Sequence, residues 1–149
     1  MRIYFDNCCL NRPYDDLTNN TVRMECEAIL SIIDTCRTSN WSYFSSDILL
    51  DEILVTTDND KREKVMLLYN AAMEHISFTE AILRRAKELE NFNVKSFDAL
   101  HAASAEAAKA DVLLTTDCNF INAAKRAKTH VPVKNPLVWL VEVLYDWES

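Results

Sequence analysis

Two aspartates in this 149-residue chain each follow an apolar, strand-like run. Asp6 closes the run at 1–5, and Asp117 closes the run at 112–116. Aspartate is common at the start of a turn, which explains either residue taken alone. Carboxylates that are even partly buried are unfavourable without a compensating cation, and one divalent metal ion compensates several of them. We therefore predict that Asp6 and Asp117 are ligands of a cation.

Two further acids lie on predicted helices. Glu52 projects from the helix predicted at 47–56, where its neighbours three and four residues away are largely apolar. A partly exposed glutamate at the rim of that face is the alternative interpretation. Asp98 lies in the first turn of the helix predicted at 97–109, where a carboxylate also interacts favourably with the helix dipole. Together, four such acids would bind Mg²⁺ or Mn²⁺, ions that activate water and stabilise charge on a phosphodiester.

Strand and helix patterns alternate along the chain and set the positions of these acids. We predict strands at 2–6, 43–45, 75–78, 112–116 and 131–133, and helices at 21–38, 47–56, 62–73, 80–90, 97–109, 118–128 and 137–146. The segment 7–20 is predicted to be a loop or a short helix, and Ser46, Thr79 and Ser96 are predicted N-caps. Repeated strand–helix units imply a mostly parallel sheet with helices on both faces, and active sites in such sheets lie beyond the carboxyl ends of the strands.

Composition limits the classes of function. The chain has no glycine, which argues against a Rossmann dinucleotide site, a Walker A loop and a kinase glycine loop. Its net charge of −7 disfavours a large, non-specific polyanion-binding surface, although a local basic patch with metal ions still permits nucleic acid. The length predicts one domain over 1–149. Five cysteines without zinc spacing, no secretory signal pattern and no membrane-spanning run predict a cytoplasmic protein with reduced thiols.

The four acidic segments resemble those of the PIN-domain family of metal-dependent nucleases, many of which are the toxins of bacterial toxin–antitoxin pairs. The segments that carry the resemblance are 3–7, 46–53, 97–103 and 114–120. The resemblance implies a three-layer α/β/α sandwich with a mostly parallel central sheet. It also implies that Asp6, Glu52, Asp98 and Asp117 bind one or two Mg²⁺ or Mn²⁺ ions and cleave an RNA substrate as an endoribonuclease. A small antitoxin protein would be the partner.

The same resemblance assigns supporting roles to two neighbours of the acids. Thr115 matches a hydroxyl position that often supports the acidic cluster, and Asn7 matches a polar position beside the first acid. Some relatives carry a further acid just after the one that matches Asp117. This chain has Asn119 there, so the number of metal ions stays open.

Two other functions remain open at this stage. The first is a non-catalytic binding module that keeps the fold and cleaves nothing. The second is a metal-dependent phosphatase, but the haloacid-dehalogenase type has a second aspartate two residues beyond the first, and that position is Cys8 here.

Three remaining features are interpreted as structural. His101 shares a helix face with Asp98, but a lone histidine is more often packed or exposed than catalytic, so we leave it out of the site. The basic cluster at 125–128 is interpreted as a solvated face with a weaker role in contacting RNA phosphates. The last helix, at 137–146, is apolar nearly all round, which predicts core packing first and a homodimer second.

Overall fold

A sheet of five parallel strands forms the centre of the computed structural model, which describes residues 1–145. The strands are β1 (Arg2–Phe5), β2 (Ser42–Ser46), β3 (Glu74–Ile76), β4 (Val112–Leu114) and β5 (Val133–Lys134), in the order β3-β2-β1-β4-β5. The chain winds outwards from β1 to β3 and then returns to place β4 on the other side of β1. The direction of winding therefore reverses between β1 and β4, which is where parallel sheets bind ligands.

Helices cover both faces of this sheet within the described residues. They are α1 (Asn7–Asn11), α2 (Asn20–Thr38), α3 (Asp47–Leu54), α4 (Asn59–Asn70), α5 (Glu80–Glu90), α6 (Ser96–Ala107), α7 (Cys118–Ala127) and α8 (Pro136–Leu144), with a 3₁₀ turn at Arg12–Tyr14. Helices α5, α6 and α7 contribute to the core on one face of the sheet, and α1, α2, α3, α4 and α8 contribute to the core on the other. The predicted three-layer sandwich is confirmed.

Side chains along β1 alternate between the two cores. Ile3 and Phe5 lie in the core with α2 and α3, Tyr4 lies in the core with α6, and all three are completely buried. This period of two explains why a strand buried on both faces is an unbroken apolar run. Burying each such side chain contributes about 1.5–3 kcal/mol. The alternation also directs the Tyr4 hydroxyl towards α6, where one of the acids lies.

Two of the three predicted caps are confirmed. Ser46 and Thr79 each accept the backbone N–H three residues further on, at 3.0 and 3.2 Å. The prediction for Ser96 is wrong, because Ser96 is already the first residue of α6 and Lys95 occupies the N-cap without a side-chain hydrogen bond. The helix begins one residue earlier than the serine indicated, and the Lys95 carbonyl accepts the N–H of Ala99 at 2.7 Å.

The last helix is buried on one side only. Trp139 is 6% exposed, whereas Val138, Val141 and Leu144 are 46–64% exposed. Core packing therefore explains part of its apolar surface, and homodimerisation stays a prediction. Residue 146 of the predicted helix lies outside the described residues, and the single domain over 1–149 also stays a prediction. No helix in the described part of the chain is long and apolar enough to cross a bilayer.

Candidate metal centre

Asp6 and Thr115 lie side by side where the winding reverses. The backbone N–H of Asp6 donates to the Leu114 carbonyl at 2.9 Å, which holds the end of β1 against β4. The carboxylate is 7% exposed. Its Oδ1 accepts the N–H of Asn7 at 2.7 Å, and its Oδ2 accepts the Thr115 hydroxyl at 2.9 Å. These bonds fix the Asp6 carboxylate, together with a longer hydrogen bond of 3.5 Å from the Cys8 thiol to Oδ2.

The Thr115 hydroxyl also connects Asp6 to Asp117. Its oxygen accepts the backbone N–H of Asp117 at 3.1 Å while its proton goes to Asp6. Asp117 caps α7 by accepting the N–H of Asn119 at 2.9 Å. Thr115 is completely buried, so this bridge is shielded from water. Asn7 differs from Thr115, because its amide oxygen accepts from Asn11 at 2.9 Å and only its backbone N–H reaches Asp6.

Glu52 meets Asp6 at the ring of His101. His101 Nε2 is hydrogen-bonded to Glu52 Oε1 and lies 3.5 Å from Asp6 Oδ1. The three side chains come from α3, α6 and the end of β1, and their donor atoms all lie within 4.8 Å of one another. Such a spacing is compatible with one shared cation.

A buried chain of hydrogen bonds fixes the other side of the His101 ring. His101 Nδ1 lies 2.6 Å from the Tyr4 hydroxyl, which lies 2.8 Å from the Ser46 hydroxyl. Ser46 also caps α3, the helix that carries Glu52. Burial lowers the pKa of His101, but the Glu52 and Asp6 carboxylates outweigh it and raise that pKa above its ordinary value. These hydrogen bonds therefore connect both the His101 ring and the helix that carries Glu52 to Ser46.

Asp98 lies beside this group, in the first turn of α6. Burial, with a smaller effect of the nearby Asp6 and Asp117 carboxylates, raises the pKa of its carboxyl from 3.8 to about 6 against the opposing effect of His101. Its carboxylate is not among the three donors that lie within 4.8 Å. The Asp6 and Asp117 carboxylates nevertheless contribute to its raised pKa, so Asp98 lies close enough to the cluster to interact with it electrostatically.

No lysine or arginine within residues 1–145 pairs with any of these four acids. Other buried acids of this chain do have such partners, since Arg12 pairs with Glu25 and Arg85 pairs with Glu106. Crowded carboxylates without a lysine or arginine partner are destabilising unless another cation, such as a metal ion, binds them. The donor set, carboxylates and one imidazole, therefore fits a divalent metal ion.

The raised pKa of Asp98 has a measurable effect on stability in chelator-treated protein. The folded-state pKa of about 6 exceeds 3.8, so the folded protein favours the protonated carboxyl. The contribution of Asp98 to the free energy of unfolding is therefore full below about pH 4 and is lost as the pH rises through 6. We compare the free energy of unfolding of Asp98→Asn with that of wild type at each pH. The difference should favour the variant by about 1–2 kcal/mol more at pH 7 than at pH 4. This is less than the energy of two full pKa units, because the carboxyl is partly exposed.

Urea denaturation in EDTA at both pH values measures this difference. Asp60 provides the matched control, because it occupies the first turn of α4 as Asp98 occupies the first turn of α6. The Asp60→Asn variant measures the effect of removing a first-turn carboxylate outside the cluster. An Asp98→Asn variant with the same pH dependence as wild type would contradict the prediction.

Sequence reasoning missed His101, although a signal was present. His101 follows Asp98 by three residues and lies among alanines that α6 buries completely or nearly so, namely Ala99, Ala102 and Ala103. A polar side chain on such a face must find a polar partner inside the protein. Cys8 is a second neighbour of the site, since its sulfur lies 3.3 Å from the Thr115 hydroxyl.

Comparison with known proteins identifies similar sequences and folds. The profile of the PIN domain matches residues 23–126. Among solved structures, the chain is similar to the crystal structure of VapBC2 from Rickettsia felis bound to a DNA fragment from their promoter. The TM-score is 0.64 at 15% identity, and the match covers 91% of this chain and 98% of that chain. No curated protein sequence matches this chain.

Proposed function

Since the chain belongs to the PIN-domain family, we propose that it is a divalent-metal-dependent endoribonuclease that hydrolyses RNA phosphodiester bonds. One observation carries the proposal: Asp6, Glu52 and His101 converge within 4.8 Å of one another, next to Asp98, and no lysine or arginine of the described residues pairs with the acids. The cluster lies beyond the carboxyl end of β1, at the reversal of winding where such folds bind ligands.

We assign two roles to the acids, binding of the metal ion and orientation of the attacking water. A bound Mg²⁺ or Mn²⁺ ion would supply an acidified water and would stabilise negative charge on the phosphodiester. Asp6, fixed by Thr115, together with Asp98 and Asp117 would hold the ion. Glu52, which lies against His101 at the same place, would act as a further ligand or as the base that orients the attacking water.

A polar cavity of 260 Å³ beside Asp98 supports a polyanionic substrate. Its polar lining residues are Asn93, Lys95, Asp98, Asn119, Asn122 and Arg126. Lys95 and Arg126 have no carboxylate partner within the described residues, so their charges are available to phosphate groups. The amide side chains are suited to hydrogen-bond the edges of unpaired bases. Of the basic cluster at 125–128, Arg126 is the member that lines this cavity.

Removing either cation should weaken binding of single-stranded RNA. We expect Lys95→Gln and Arg126→Gln each to lower the affinity about 3–10-fold near 0.1 M salt and to reduce the slope of log affinity against log salt by about 0.7. Fluorescence anisotropy with a labelled RNA in EDTA measures both quantities. Lys109→Gln is the matched control, because Lys109 is exposed just past the opposite end of α6. Equal losses in all three variants would contradict a role for this cavity.

The proposed activity is tested with purified protein and a 5′-labelled single-stranded RNA. We expect internal cleavage in Mg²⁺ or Mn²⁺, arrest by EDTA and recovery when the ion is restored. Protein that binds Mn²⁺ and RNA but leaves the RNA intact would instead be a non-catalytic binding module. Hydrolysis of small phosphate esters without cleavage of RNA would indicate a phosphatase.

We also propose a toxin role with a small antitoxin protein as partner. The likeness of the fold to VapBC2 from Rickettsia felis supports this proposal, together with family membership. A short reading frame beside this gene should encode a protein that co-purifies with the chain and inhibits RNA cleavage. A neighbouring product that neither binds the chain nor inhibits cleavage would argue against this role.

A further inference from the structure

We infer that His101 Nε2 is itself a metal ligand and that this nitrogen makes the site prefer Mn²⁺ to Mg²⁺. The inference rests on the proposed metal-dependent function and deepens it, because the family resemblance implies oxygen ligands from four acids only. His101 is completely buried and reaches the cluster from α6.

The position of Nε2 is that of a ligand. It faces the two carboxylates at once, 3.5 Å from Asp6 Oδ1 and in hydrogen-bond contact with Glu52 Oε1. Ligand atoms that lie about 2.1–2.2 Å from one ion are separated by about 3–4.4 Å, depending on their angle at the ion. The distance from Nε2 to Asp6 falls within this range, whereas the direct hydrogen bond from Nε2 to Glu52 is shorter and would be replaced by the bonds of both atoms to the ion.

The hydrogen-bond chain behind the ring allows His101 to present either a proton or a lone pair at Nε2. In one direction the Ser46 hydroxyl donates to Tyr4, Tyr4 donates to Nδ1, and an Nε2 proton donates to Glu52. In the other direction an Nδ1 proton donates to Tyr4, and Tyr4 donates to Ser46. Both directions are available because a hydroxyl donates one hydrogen bond and accepts others.

Reversal of these hydrogen bonds moves the imidazole proton from Nε2 to Nδ1 without changing the charge of His101. In the first direction the Nε2 proton is donated to Glu52, and Asp6 Oδ1 lies 3.5 Å from the same nitrogen. The second direction frees the Nε2 lone pair, while Tyr4 accepts the hydrogen bond from Nδ1 that fixes the ring. Histidine ligands in metal sites regularly donate their other ring N–H to such an acceptor, which sets the tautomer.

A nitrogen ligand changes which ion the site binds best. Mg²⁺ takes oxygen ligands and retains several waters, whereas imidazole is a good ligand for transition ions. With carboxylates alone the two ions would compete on similar terms. With His101 added, Mn²⁺ gains a ligand that contributes little to the binding of Mg²⁺.

Pulsed electron paramagnetic resonance of the Mn²⁺-loaded protein tests this directly. We expect a ¹⁴N modulation from a directly bound imidazole in wild type and its loss in His101→Gln. In the same variant the affinity for Mn²⁺, measured by calorimetry, should fall about 10–100-fold, and that for Mg²⁺ less than about 3-fold. Thermal unfolding of the variant checks its fold.

His75 provides the matched control. Its Nδ1 lies 2.7 Å from the Ser45 hydroxyl and its Nε2 lies 2.9 Å from Asp47 Oδ1, which repeats the setting of His101 at an exposed place outside the cluster. His75→Gln should keep both the ¹⁴N modulation and the affinity for Mn²⁺. Loss of the modulation in this variant would place the nitrogen at His75 and overturn the inference.

Tyr4→Phe tests the hydrogen-bond chain separately. The variant keeps the ring packing but removes the acceptor for the Nδ1 proton, so we expect a loss of about 10-fold in Mn²⁺ affinity with the ¹⁴N modulation retained. An unchanged affinity would overturn the role assigned to the chain.

The wild-type spectrum decides the main point even where a variant fails to fold. Bound Mn²⁺ without ¹⁴N modulation, in protein that cleaves RNA, would overturn the ligand role of His101 and leave the proposed function standing. Protein that neither binds Mn²⁺ nor cleaves RNA would overturn both.

Discussion

The Asp6→Asn variant is expected to cleave RNA about 10³-fold more slowly than wild type, a loss of about 4 kcal/mol in transition-state stabilisation. Asp6 is the acid with the most contacts to the other members of the site, through Thr115 and His101. Asparagine is also a good N-cap, so the start of α1 should be preserved. The expected defect is therefore one of charge and metal binding rather than of folding.

Single-turnover cleavage of a labelled RNA at saturating enzyme measures this defect. Asp51→Asn is the control, because Asp51 is exposed and adjacent to Glu52 but lies outside the cluster. It should retain wild-type activity. An Asp6→Asn protein that is free of contaminating nuclease and cleaves as fast as wild type would refute the assignment of the site.

The Arg12→Met variant is expected to lose about 3 kcal/mol of unfolding free energy. Glu25 is 4% exposed and accepts from Arg12 Nε at 3.0 Å and from the Asn135 amide at 2.6 Å. Breaking a buried ion pair typically costs about 3–5 kcal/mol, since the remaining charge stays buried, and the partial exposure of Arg12 places this case at the lower end.

Guanidinium denaturation measures the loss. Arg84→Met is the control, because Arg84 and Glu80 form an exposed pair at 4.0 Å that should contribute less than about 0.5 kcal/mol. The double variant Arg12→Met with Glu25→Met should recover part of the loss, because it leaves no unpaired charge. If Arg12→Met proved no more costly than Arg84→Met, the buried pair would not stabilise the link between the 3₁₀ turn at Arg12–Tyr14 and α2.

Local signals in the sequence were sufficient for most elements and for two positions of the candidate site. The apolar runs of β1 and β4 place Asp6 and Asp117 near the ends of neighbouring parallel strands. Periodicity locates α3 and α6, and hydroxyl spacing locates the caps at Ser46 and Thr79. Each of these inferences depends on residues that are close together in the chain.

The contacts that sequence reasoning missed depend on distant packing. Glu52 and His101 are separated by 49 residues, and they meet only because α3 and α6 approach each other at particular rotations about their axes. No local pattern specifies those rotations, so the sequence alone predicted that His101 was a packed or exposed residue outside the site. Ser96 failed as a cap because α6 begins at Ser96 itself, one residue before the predicted start.

The shared role of Ser46 has a consequence for how this protein can vary among related species. At most helix starts Ser, Thr, Asp and Asn are nearly interchangeable, and α4 and α8 begin with Asp58 and Asn135. Position 46 has less freedom, since its side chain must accept a backbone N–H and also exchange hydrogen bonds with Tyr4. Relatives that retain Tyr4 and His101 should therefore carry only Ser or Thr at this position, whereas relatives that lack the histidine should accept all four cap residues.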